Sequence, residues 1–103
     1  MRPYYEKDGI SIFKGDSLEI LPQLGPQCAD VVLTDPPWPG CDQVFPGSDR
    51  PYELFAEAAA HFPSVCSRVM IWLGCNSDPR FLSGVPATLP FFTTIRLRRV
   101  PPS

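Results

Sequence analysis

Ala29-Asp30-Val31-Val32-Leu33-Thr34-Asp35-Pro36-Pro37-Trp38 is the stretch that decides how this chain is organised. Its apolar, β-branched run, bounded by Cys28 before it and a proline pair after it, reads as a buried strand that stops abruptly. The Asp35 carboxylate is therefore expected at the C-terminal end of a strand. In open α/β sheets that edge borders the crevice in which ligands bind.

The prolines fix φ and remove two backbone donors, so this loop is stiff and presents carbonyl oxygens. Trp38 adds a flat face suited to a nucleobase, a stacking worth ~1–3 kcal/mol per base. A carboxylate, fixed carbonyls and an aromatic plate together suit an exocyclic amino group on a heterocycle. If Asp35 accepts one N–H and a carbonyl near Pro36 the other, the nitrogen is drawn out of conjugation and its lone pair becomes nucleophilic.

Asp35-Pro36-Pro37-Trp38 resembles the catalytic tetrapeptide of the S-adenosylmethionine-dependent amino-methyltransferases that modify adenine N6 in nucleic acids. The resemblance extends over Ile10-Ser11-Ile12-Phe13-Lys14-Gly15-Asp16-Ser17-Leu18-Glu19-Ile20-Leu21 and Val31-Val32-Leu33-Thr34, and is specific for residues 10–38. There the chain looks like the N-terminal third of DNA methylases that carry the catalytic motif before the cofactor glycine loop. An Asp at the first motif position is associated in that family with adenine. The resemblance thus implies a Rossmann-like class I methyltransferase sheet and S-adenosylmethionine as cofactor. It implies DNA as partner more readily than RNA, with Asp35, Pro36, Pro37 and Trp38 catalytic and Asp16, Thr34 and Asp35 on the cofactor side. Trp at the fourth position is also found in the RNA-adenosine branch, so an RNA adenosine methyltransferase is an alternative. A further alternative is a non-catalytic nucleic-acid-binding or scaffold remnant of the same fold. Pro36-Pro37-Trp38-Pro39 could also be read as a polyproline ligand, which the preceding buried strand argues against.

The 103 residues correspond to one small domain. A net charge of −2 does not mark the whole chain as a nucleic-acid binder, so any basic footprint is local. The fourteen prolines, far above the usual ~5%, separate apolar segments and punctuate a folded chain. Cys28, Cys41, Cys66 and Cys75 form no C-x-x-C pair and, with His61, no familiar zinc spacing, so no metal is expected and the thiols read as free. No apolar stretch approaches the ~20 residues of a membrane helix, and a soluble, cytoplasmic protein is expected.

In chain order, residues 1–8 read as an extended arm in which Tyr4-Tyr5 covers a sheet edge, and Ile10 to Phe13 as a short strand. Asp16 has two readings. Asp16-Ser17-Leu18-Glu19 fits a capping box, with the carboxylate on the Leu18 or Glu19 N–H; the resemblance implies a contact to the cofactor. Pro22 ends that helix. Gly40 to Arg50 is a surface loop, either a connector or a lid over a base. Asp49 and Pro51 open a helix through about Phe62, with Leu54, Phe55, Ala58, Ala59 and Phe62 as its apolar stripe and Glu53, Glu57 and His61 opposite.

Arg68 to Gly74 reads as a parallel strand covered on both faces, with Trp72 more readily a core residue than a base-stacking platform. Asn76, Ser77 and Asp78 then reach the same crevice edge as Asp35, as minor ligand contacts or as a cap for a helix over 79–84. The alternation of Phe92 to Val100 predicts an edge strand. Its Arg96, Arg98 and Arg99 either keep that edge solvated or contact phosphates. The Trp-Lys-like pair often found there in the resembled family is missing. About four strands with flanking helices give a partial Rossmann-like α/β sheet with right-handed crossovers. None of the seven glycines opens a Phe-x-Gly-x-Gly or comparable loop. On this reading residues 1–103 form a single partial methyltransferase domain that carries the catalytic motif without the glycine-loop half, and the chain is a piece of a longer enzyme.

Overall fold

The structure, a computed structural model, describes residues 1–37, 49–73 and 79–98. Trp38, residues 40–48 of the loop expected over Gly40 to Arg50, Asn76 to Asp78 and Arg99 lie outside the described residues.

The chain opens with an antiparallel hairpin of β1 (Tyr5–Lys7) and β2 (Ile10–Ile12), in register Tyr5↔Ile12 and Lys7↔Ile10. Asp8 (φ 53°) and Gly9 (φ 79°) make its two-residue turn. Positive φ at both central positions matches the right-handed twist of the flanking strands, which is why Asp-Gly is favoured there. Ser11 Oγ donates across the pair to Glu6 Oε1 at 3.2 Å, and all six strand residues are exposed. Residues 5–7, expected as an arm, are therefore a strand, and the strand over Ile10 to Phe13 pairs with them rather than with the parallel sheet.

α1 (Ser17–Ile20) is a single turn capped by Asp16, whose Oδ1 accepts from the Leu18 N–H at 2.9 Å. Pro22 follows, and the chain tightens into a 3₁₀ turn over Leu21–Gln23, where the missing proline N–H costs nothing.

β3 (Val32–Thr34) and β4 (Val69–Ile71) pair in parallel, in register Val32↔Val69 and Thr34↔Ile71. Between them runs α2 (Pro51–Ala59), with Pro51 in its first turn and Arg50 at the N-cap position. The helix expected to reach Phe62 breaks at Ala60-His61 and restarts as α3 (Phe62–Val65). Pro63 is the cause: within one continuous helix it would lack a bond to the Ala59 carbonyl and its ring would strike that carbonyl. His61, expected on the exposed face, is half-buried at this break.

Phe55, Ala59 and Phe62 from the expected stripe are buried, and Phe81 joins them from a 3₁₀ helix over Pro79–Gly84. Phe55 meets Phe62 and Phe81 edge to face, with ring centroids 6.2 and 5.9 Å apart, a preferred aromatic geometry. Val32, Val69 and Ile71 pack against this cluster from the sheet.

Among the described residues only one face of the parallel pair is covered. Leu33, Met70 and Trp72 on the other face are 70%, 53% and 51% exposed, so Trp72 is not a core residue as its apolar run suggested. Among the described residues the strands form two separate two-stranded sheets. Of the edge strand expected over Phe92 to Val100, the described residues 92–98 form no strand either. Phe91 to Arg98 is without regular structure and exposed throughout, because no neighbouring strand among the described residues supplies the ladder that would hold it extended.

Candidate functional site at the end of the parallel strands

The site is set by how the two parallel strands end. The ladder begins where the Val32 N–H donates to the Arg68 carbonyl at 2.9 Å, and ends where the Trp72 N–H donates to the Thr34 carbonyl at 2.8 Å. That last bond places Trp72 beside Asp35 at the C-terminal edge.

Leu33, Thr34, Asp35 and Trp72 line an open depression of about 240 Å³. Asp35 is exposed at its rim, and the next residue, Pro36, is buried. A proline ring held in the interior leaves the aspartate little freedom to swing away. Asp35 has no side-chain partner among the described residues. An acceptor at the rim of an indole- and leucine-lined hollow suits a flat, weakly polar ring with an amino substituent.

Of the residues singled out from sequence, Thr34 and Asp35 therefore share one hollow, with Pro36 and Pro37 directly behind them. Asp16 is not part of its lining, and its carboxylate is used by the α1 cap. Arg96 and Arg98 are exposed on the irregular segment and do not line the hollow. Trp72, read from the sequence more readily as a core residue than as a base-stacking platform, lines the hollow instead. Its signal was available, since alternation from Val69 and Ile71, which face the core, turns Trp72 outward.

A second depression, of about 270 Å³, lies where α2 meets the 3₁₀ helix of Phe81, lined in part by Tyr52, Glu53 and Arg80. It marks a packing seam and contains none of the motif residues. Among the described residues no cluster of His, Cys, Asp or Glu could hold a metal ion. Cys28 is an exposed free thiol; Cys66 is buried, with its Sγ donating to the Phe62 and Arg68 carbonyls.

The described residues do not fit a whole S-adenosylmethionine. The hollow is smaller than the ~300–1,000 Å³ of typical small-molecule sites, and no glycine turn follows either parallel strand among them. No protein-family model, curated protein or solved structure matches this chain.

Proposed function

We propose that this chain grips the exocyclic amino group of an adenine in a nucleic acid at Asp35, as the substrate-facing part of an adenine-N6 methyltransferase that uses S-adenosylmethionine. One observation carries the reading: the exposed Asp35 carboxylate and the Trp72 indole share a hollow at the C-terminal end of a parallel strand pair. A base taken from a single strand, or flipped from a duplex, stacks on the indole. Asp35 accepts one amino N–H and pulls electron density toward the nitrogen, raising its nucleophilicity without a strong base. Catalysis of this kind is positioning and electrostatic complementarity. DNA is the first choice of polymer and RNA the second, and Arg96, Arg98 and Arg99 are its phosphate contacts.

The small hollow favours a second reading, a nucleic-acid-binding remnant without turnover. Two measurements decide. An oligonucleotide with purine in place of one adenine lacks the amino group. It should bind about tenfold more weakly than the adenine strand, and Asp35→Ala should erase that difference. Equal binding of both strands by the unmutated chain overturns the amine clamp. Incorporation of labelled methyl from S-adenosylmethionine separates the enzyme from the remnant.

A further inference from the structure

The outer face of the parallel pair carries an ordered sequence of charges. By alternation from the core-facing Val32, Val69 and Ile71, this face presents Leu33 on β3 and Met70 on β4, with Val31 and Asp35 flanking β3 and Arg68 and Trp72 flanking β4. All six are exposed. Basic Arg68 stands at one end, acidic Asp35 at the other, and four apolar residues lie between them. Neither charged side chain has a partner among the described residues.

Parallel sheets are covered on both faces almost without exception. An exposed apolar face that no described residue covers, with unlike charges at opposite ends, is complementary to itself. A two-fold axis running across the strands, between the Leu33–Met70 rows, sets the strands of two copies antiparallel. The Arg68 end of each copy then lies over the Asp35–Trp72 end of the other. The alternative axis, along the strands, would stack like charges and is disfavoured.

We infer that this face pairs two copies of the chain, sheet against sheet, with Leu33 and Met70 at the centre. Arg68 of each copy reaches the carboxylate of Asp35 and the indole of Trp72 in the other, an ion pair and a cation–π contact at both ends. The patch of six residues is small beside the ~800 Å² per partner of a standard interface, so the dimer is reversible and concentration-dependent. The pairing needs Asp35 only as a surface carboxylate and does not rest on the amine clamp. Where both hold, a second copy shields the hollow, and dimer and polynucleotide compete.

Sedimentation of the full chain over a range of concentrations, without nucleic acid, tests the pairing. A monomer–dimer equilibrium is expected. Met70→Lys should raise the dissociation constant at least about tenfold, and so should Arg68→Glu alone or Asp35→Arg alone. The double variant Arg68→Glu with Asp35→Arg restores the complementarity and should return to within about threefold of the unmutated chain. All three positions are exposed, and circular dichroism confirms that each variant is folded. A monomer at every concentration overturns the inference. So does a dimer indifferent to Met70→Lys, which would mean pairing through the open strand edges, or a double variant no better than the single ones. None of these outcomes touches the purine comparison above.

Discussion

The backbone N–H of Trp72 donates to the carbonyl of Thr34 at 2.8 Å, the last rung of the parallel ladder. Through it two residues 38 positions apart in sequence, Thr34 and Trp72, become neighbours at one lip of the sheet. The indole that borders the Asp35 carboxylate comes from the second strand, whatever Trp38 in the motif itself contributes. A site made by two strands is as firm as their pairing, which depends in turn on the packing of α2 beneath them.

α2 also packs against the 3₁₀ helix of Phe81, and Gly84 marks a close approach between the two. A Cβ added there would lie 3.2 Å from both the Cα and the Cβ of Ala56 on α2. Neither neighbour is a flexible side-chain end, so the 3₁₀ helix that carries Phe81 would have to shift. Gly84→Ala should cost about 1–3 kcal/mol, as overpacking does, read as a lowered thermal midpoint. An unchanged midpoint would show that the two elements are not in close contact.

The cap of α1 makes Asp16 a stability residue. Asp16→Ala should cost about 1 kcal/mol in urea denaturation, while Asp16→Asn, which keeps an acceptor for the Leu18 N–H, should cost far less. Equal losses from the two would transfer the role of Asp16 from its hydrogen bond to its charge.

Arg96, Arg98 and Arg99 are the concentrated positive charge of an otherwise acidic chain. Changing all three to Glu should weaken binding to a single-stranded polynucleotide and flatten its salt dependence, by about 0.7 in the log–log slope for each phosphate that is no longer neutralised. An unchanged slope would assign the arginines to solubility alone.

What was legible from residues alone was local. Asp16 before Ser-Leu-Glu, Pro51 at a helix start, the apolar stripe from Phe55 to Phe62 and the two β-branched runs each depend on neighbours within a turn or two, and each forms close to its expected position. The Asp8-Gly9 turn carried an equally local signal, and with it the N-terminal hairpin. Pro63 was visible as well, and with it the break after Ala59.

Partnership was not legible, because it depends on what lies across space. An unbroken apolar run suggested a strand with two covered faces, yet covering a face requires a second layer, and only the α2 side has one among the described residues. That decided the fate of Trp72, which left the core for the rim of the hollow. The alternation of Phe92 to Val100 likewise describes a strand only if another strand lies alongside, and among the described residues none does. The sequence by itself determined which segments turn, coil or extend, and it put a carboxylate at the end of a strand. Only the tertiary structure decided which aromatic stands beside that carboxylate and which apolar face is left open, because burial belongs to the packed layers and not to any one segment.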